Sequence, residues 1–308
     1  MNPFDQIKQL ALRGGFVAVG ISPPYVAQRY RQRLLFWLKS DYQGTMSWMK
    51  KDLAVRFDLR QKFPWVKSVL VVADKYYSQR AYPGKTVRIS RHAWGMDYHL
   101  VIKSKLNLLL SNLQHDYPGI ISKIFVDTSP AIEKALAEQA GLGWIGKNSI
   151  LIVKDQGSYC FLGIILLNLP FDNNVQAENL CGSCRACLDA CPTGAIIAPG
   201  LIDARKCIAY LTIEKKGNLT DLEMSKLNNW LYGCDICQEC CPWNQKLAEN
   251  KTNPVYQNLW NYFQKTETEW LAITEDEFRS QFKQSSIGRL KYNRFYRNLR
   301  ALLGNCFS

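Results

Sequence analysis

The stretch Cys181-Gly-Ser-Cys184-Arg-Ala-Cys187-Leu-Asp-Ala-Cys191-Pro192 is an unbroken C-x₂-C-x₂-C-x₃-C-P run. A second, incomplete copy follows as Cys234-Asp-Ile-Cys237-Gln-Glu-Cys240-Cys241-Pro242, with Cys207 standing between the two. A four-iron, four-sulfur cluster needs four thiolates converging on a cube. This spacing puts three of them on one tight loop, and the Cys before Pro serves the other cluster. The pattern therefore groups Cys181, Cys184 and Cys187 with Cys241, and Cys207, Cys234 and Cys237 with Cys191. Zinc is the competing chemistry, because paired C-x₂-C also suits a tetrahedral ion, but zinc leaves both C-x₃-C-P tails without a use. Cys240 falls where the pattern needs no ligand and reads as a packed or half-exposed free thiol.

The remainder of the chain must house this module. Its 308 residues suffice for one sizeable core and a smaller satellite. A hydrophobic content of 47% with nine Trp excludes a disordered chain. Eleven Cys without a secretory leader read as metal ligands in a reducing compartment, so a cytoplasmic location is expected. The longest apolar run, Tyr159 to Leu167, is too short to span a bilayer and reads as a buried strand, so no membrane partner is expected. A formal charge of +13 favours a polyanionic partner.

Outside the cysteines, residues 4–13 read as a helix, Phe16 to Ile21 as a strand, and 25–39 as a helix with Leu34, Leu35 and Leu38 on one side. Ser68 to Ala73 reads as a strand of a covered sheet. A helix is expected over 97–113, then a strand from Lys123 to Asp127. Pro130 should open the next helix, which runs to Gly141. Strands are expected over 148–153 and 159–168. Such alternation predicts an α/β (α+β) domain over 1–170, with a mixed sheet flanked by helices. A polar linker beginning Pro170-Phe-Asp-Asn-Asn-Val leads into a two-cluster, bacterial ferredoxin-like module over 171–250. There Thr220-Asp-Leu-Glu223 is a capping box for a helix reaching Trp230. A short α-helical, basic C-terminal segment fills 251–308.

Four ordered motifs carry a resemblance that covers essentially the whole chain: Ile89-Ser-Arg-His-Ala-Trp-Gly-Met-Asp-Tyr-His99, Val126-Asp-Thr-Ser-Pro-Ala-Ile-Glu133, Gly143-Trp-Ile-Gly-Lys-Asn148 and Gly233-Cys-Asp-Ile-Cys-Gln-Glu-Cys-Cys-Pro-Trp-Asn244. Together they resemble the epoxyqueuosine reductases, which complete queuosine in the anticodon of certain tRNAs. The resemblance implies base-off cobalamin in the N-terminal domain beside two [4Fe-4S] clusters. The absence of an Asp-x-His-x-x-Gly run agrees with a corrinoid that takes no protein His. The resemblance further implies removal of the epoxide oxygen as water, with two electrons and two protons. Reductive dehalogenases resemble this family in fold and cofactors, but tend to carry an export signal that this sequence lacks.

On that resemblance Asp127 is the expected acid, kept protonated by desolvation against the corrin; its plain alternative is a cap on the following helix. Arg56, Trp94, Asp97, Tyr98, Asn148 and Ser149 are expected, with Asp127, to contact the cofactor. His92, His99 and His115 are assigned structural roles. Lys134 stands where Arg is expected, which replaces a fork of donors by a point charge. Residues 279–300 carry Arg279, Lys283, Arg289, Lys291, Arg294, Arg297 and Arg300 with no acid between. With Tyr292, Phe295 and Tyr296 interleaved they predict a tRNA surface. A monomer fed by an unidentified low-potential electron donor is expected. The alternatives are a two-cluster electron carrier with a docking domain, a dehalogenase-like corrinoid reductase and a zinc-stabilised RNA-binding protein.

Overall fold

The sheet that carries the site is built on one buried strand. In the computed structural model, which describes residues 3–84, 86–172, 177–247 and 253–304, every residue of Ser68–Lys75 is buried. The chain reaches it through α1 (Pro3–Arg13), β1 (Ala18–Ser22), α2 (Gln28–Lys39) and the short α3 (Leu53–Phe57); Ser68–Lys75 is β2. After it come β3 (Arg88–Ile89), α4 (Tyr98–Asp116), β4 (Ser122–Phe125), α5 (Glu133–Gln139), β5 (Gly143–Ile145), β6 (Leu151–Val153) and β7 (Cys160–Leu167). Strand order is β1-β2-β7-β4, and all three pairings are antiparallel. The expected mixed sheet is therefore corrected: each neighbouring pair runs antiparallel, and no parallel crossover enters this sheet.

Alternation along β2 sends Leu70 and Val72 toward α1 and α4, and Val69, Val71 and Ala73 toward α5. Each such Val or Leu contributes about 1.5–3 kcal/mol by leaving water. Gly20 in β1 has a packing reason: a Cβ there would stand 2.1 Å from the carbonyl oxygen of Ala140, at the end of α5. α2 begins only at Gln28, and of its expected apolar side Leu38 is buried while Leu35 is 46% exposed. α5 begins at Glu133 rather than at Pro130, so Asp127 caps no helix.

The cysteine segment comprises α6 (Ala186–Asp189), the hairpin β8 (Ile196–Ala198) and β9 (Leu201–Ile202), α7 (Asp221–Ser225), β10 (Trp230–Tyr232), α8 (Ile236–Glu239) and α9 (Pro242–Gln245). The capping box on Thr220 is formed, but its helix stops at Ser225 and Trp230 lies in a strand, not at a helix end. That strand pairs in parallel with β3, so the first and second segments share a ladder. α10 (Glu267–Leu271), α11 (Glu275–Gln281) and α12 (Tyr292–Leu303) close the chain. Phe263, Trp270, Phe278, Phe282 and Phe295 form one core with Ile89 and Trp94, which joins the C-terminal segment to the N-terminal one. Of the expected linker, Asn173, Asn174 and Val175 lie outside the described residues, as does Cys306. Among the described residues no helix is long and apolar enough to cross a membrane.

Candidate functional site

One of the two sets of four thiols that the spacing groups lines a single cavity. Cys181, Cys184, Cys187 and Cys241 line one cavity of about 210 Å³, together with Asn148, Trp243 and Lys246. Cys240 does not line it. The Trp144 indole donates to Cys181 Sγ at 3.4 Å, and Lys147 Nζ holds the loop through the carbonyls of Gly182 (2.6 Å) and Cys184 (2.7 Å). Burial first, then the neighbouring Cys241 and Cys181, raise the Cys187 thiol. In the second set, burial raises Cys234, with Cys207 and Cys191 adding to it. Cys191 Sγ accepts the backbone N–H of Ala195 at 3.3 Å. Among the described residues no three His, Cys, Asp or Glu side chains close on one point as a single bound ion requires. Thiols ringed around a cavity, with N–H donors aimed at sulfur, fit a cluster better than a zinc ion.

Beside this module runs a groove of three adjoining cavities. The first, about 410 Å³, is lined by Tyr98, Asp127, Glu133 and Lys134 among others. It shares Met49, Ile132 and Lys134 with a second of about 330 Å³. That one shares Tyr30, Arg33, Ile145 and Gly200 with a third of about 510 Å³, at whose end stands Lys147. Lys147 also lines the first cysteine cavity, so groove and thiols meet at one side chain.

At the other end, Asp127 follows β4 with φ of 57°, a left-handed conformation uncommon outside Gly. Its backbone N–H donates to Glu133 Oε1 at 2.8 Å. Its carboxylate Oδ2 lies 3.2 Å from His99 Nε2 and 3.7 Å from Arg289 Nη1. His99 Nδ1 in turn lies 2.5 Å from Asp97 Oδ1. The His99 bond, outweighing burial, holds the Asp127 carboxyl below the usual carboxylate range. Burial would lower His99, yet its bonds to Asp127 and Asp97 raise it. Desolvation does act on the next carboxyl: burial, with the Asp127 charge, pushes Glu133 up to about 8. Asp127 is half open to the first cavity.

The other expected contacts divide. Tyr98 lines the first cavity and Ser149 the second, where Lys134 Nζ bonds the Ser149 carbonyl at 2.8 Å. Arg56 reaches the first cavity, but its guanidinium is committed to the carbonyls of Lys51, Trp48 and Pro130. Asp97 caps α4 and orients His99. Asn148 is buried against the thiols, donating to the carbonyl of Cys237 at 3.2 Å, and so ties the two cysteine loops together. Trp94 lines none of these cavities; it is fully buried, with its indole on the Ile89 carbonyl.

Comparison with known proteins follows this geometry. Residues 180–244 match the family described as a 4Fe-4S double cluster binding domain, and residues 56–128 that described as epoxyqueuosine reductase QueG. An epoxyqueuosine reductase from Leadbetterella byssophila is 39% identical over 296 residues, 96% of either chain. One from Synechocystis sp. is 41% identical over 280 residues, 88% of this chain and 94% of the relative. The chain belongs to the epoxyqueuosine reductase family. A crystal structure of epoxyqueuosine reductase superposes with a TM-score of 0.90 at 32% identity, over 97% of this chain and 80% of that one. The same values hold for an epoxyqueuosine reductase with a tRNA-Tyr epoxyqueuosine-modified stem loop. The Bacillus subtilis enzyme with its catalytic Asp loop swung out of the active site gives 0.88 at 31%, over 97% and 80% of the two chains.

Two arginines of the basic tail are engaged within the fold, while Arg279, Lys283, Arg289, Lys291 and Arg300 are exposed. Arg297 donates to the carbonyls of Leu211, Lys215 and Gly217, and Arg294 to that of Ile213. Phe295 is core, and Tyr292 is held by the carbonyl of Ile273. Arg294 and Arg297 therefore hold α12 to the π-helical turn Tyr210–Glu214 and the residues just after it, while Phe295 and Tyr292 pack it against α10 and α11. Arg289 went unremarked as a site residue and is the one that reaches Asp127. His99 was assigned a structural role, and its spacing from Asp97 was the signal: on a helix N-terminus, i and i+2 bring a carboxylate onto an imidazole.

Proposed function

We propose that this chain reduces epoxyqueuosine to queuosine in tRNA. The observation that carries the reading is a run of three cavities joined by shared wall residues, with Asp127 in the first and Lys147, which also lines the thiol cavity, in the third. Electrons from the cysteine module have a short route to the chemistry, and Asp127 has access to the leaving oxygen. A plain two-cluster carrier has no use for such a groove.

The groove fits base-off cobalamin. Its middle is apolar, with Leu34, Trp37, Ile132 and Leu201, while Arg29, Arg33 and Lys147 surround its far end, where the phosphate of a nucleotide tail would rest. The bound clusters and cobalamin supply the two electrons, chemistry that no side chain performs. The protein supplies the protons. Asp127 presents a carboxylate to the epoxide end, and His99, oriented by Asp97, holds the proton to be passed through it. Epoxide, two electrons and two protons give the cyclopentene and water. Exposed Arg289 stands 3.7 Å from Asp127, and with the exposed Lys283 and Lys291 it offers cationic groups to the anticodon backbone.

Titration of the cluster-loaded protein with cobalamin should end at about one cobalt per chain, and Ile132→Arg should abolish uptake. Full uptake by that variant would remove the groove from the account.

A further inference from the structure

Asp235 stands between Cys234 and Cys237 and is fully buried. Although it occupies the N-cap position of α8, its side chain makes no capping bond there. It points instead to the segment around β3. Oδ1 accepts from Ser90 Oγ at 2.5 Å and from Gln238 Nε2 at 3.3 Å; Oδ2 accepts from the backbone N–H of Arg91 at 2.7 Å and from the Tyr82 hydroxyl at 2.9 Å. Four donors and no acceptor make a pocket built for an anion.

No cation cancels that charge directly. The Arg91 guanidinium is stacked on the rings of Tyr82 and Trp94, at 4.5 and 4.6 Å from their centroids. Its Nη1 serves the carbonyls of Ser78 and Arg80, and its Nη2 faces Glu239 at 3.8 Å. Among the described residues no ion pair involves Asp235. Asp235 directly follows Cys234 and precedes Cys237 by two residues, so its charge sits beside both thiols.

We propose that Asp235 is an electrostatic tuning residue for the cluster held by Cys191, Cys207, Cys234 and Cys237, setting its reduction potential low so that it passes electrons on. A buried negative charge beside a cluster opposes the arrival of an electron, because little solvent screens the two. The neutral donors around the carboxylate draw its charge away from the cluster. Removing the charge and removing a donor therefore act in opposite directions. This rests on the two-cluster reading. Tyr82 is the donor to remove, since Ser90 also contacts His92 Nδ1 at 2.7 Å and so touches the groove wall.

The test is a redox titration of the anaerobically loaded enzyme, followed by the paramagnetic signals of the reduced clusters. Asp235→Asn should shift one cluster's reduction equilibrium on the order of tenfold toward the reduced form, about 59 mV for one electron, and leave the other in place. Tyr82→Phe should move the same signal the other way, by a smaller factor. An unmoved potential in Asp235→Asn, or both variants moving together, overturns the proposal. Should Asp235→Asn load only one cluster, Tyr82→Phe decides alone: a downward shift supports the assignment, and none or an upward one overturns it. Wild-type protein that binds no second cluster would instead refute the two-cluster reading beneath it.

Discussion

His99 Nε2 lies 3.2 Å from Asp127 Oδ2 while its other nitrogen rests on Asp97. This contact lowers the Asp127 carboxyl and helps raise the imidazole, so a proton shared between the two favours His99. Activity that needs this proton is present below the folded-state pKa of His99, which is raised, and is lost as pH rises through it. His99→Gln should lower turnover on the order of 10²-fold with both cofactors retained. Arg289 works against the imidazolium, so Arg289→Met should move the alkaline limb of the pH–rate profile upward. An unmoved limb would take Arg289 out of the site.

Glu133 gives a stability prediction of definite sign. Its carboxyl holds a proton up to about 8 in the folded chain, against about 4.3 in an unfolded one. Between those values the unfolded chain has released a proton that the folded one keeps, so Glu133 makes the protein less stable as pH rises. Glu133→Gln, which retains an oxygen for the Asp127 N–H, should gain thermal stability relative to the parent between about pH 4.3 and about 8. A constant difference across that range would contradict the assignment.

Cys240 and Cys241 are adjacent, yet only Cys241 lines the thiol cavity. Cys241→Ala should lower the iron content from about eight to about four per chain, and Cys240→Ala should leave it unchanged. Iron analysis with the visible spectrum distinguishes the two.

Arg297→Ala leaves the carbonyls of Leu211, Lys215 and Gly217 without their donor. About 2 kcal/mol of stability should be lost in denaturant titrations. Arg300→Ala, on the exposed side of α12, should change stability by less than about 0.5 kcal/mol.

These cases mark where sequence was informative. Thiol grouping was legible because ligand spacing is local and the C-x₃-C-P tails pair across the two loops. The buried β2 was legible from its unbroken Val-Leu run, but pairing direction was not, since that depends on contacts between distant strands. Asp127, named from the resemblance, lines the first cavity, but the groups that reach it were not legible, because His99 and Arg289 come from positions 28 residues upstream and far downstream in the chain. The partners of Arg294 and Arg297 were not legible for a different reason. Arginines interleaved with aromatics look alike whether their donors meet phosphates or, as with Arg294 and Arg297, the carbonyls of a π-turn.

The most direct test of the account is conversion of tRNA bearing epoxyqueuosine by the anaerobically reconstituted chain, with clusters, cobalamin and a low-potential reductant supplied. Nucleoside analysis should show queuosine formed by the wild-type chain and none by Asp127→Ala, although that variant binds the same iron and cobalt. Fully loaded wild-type protein that leaves epoxyqueuosine intact, or an Asp127→Ala variant that converts it at the wild-type rate, would contradict it.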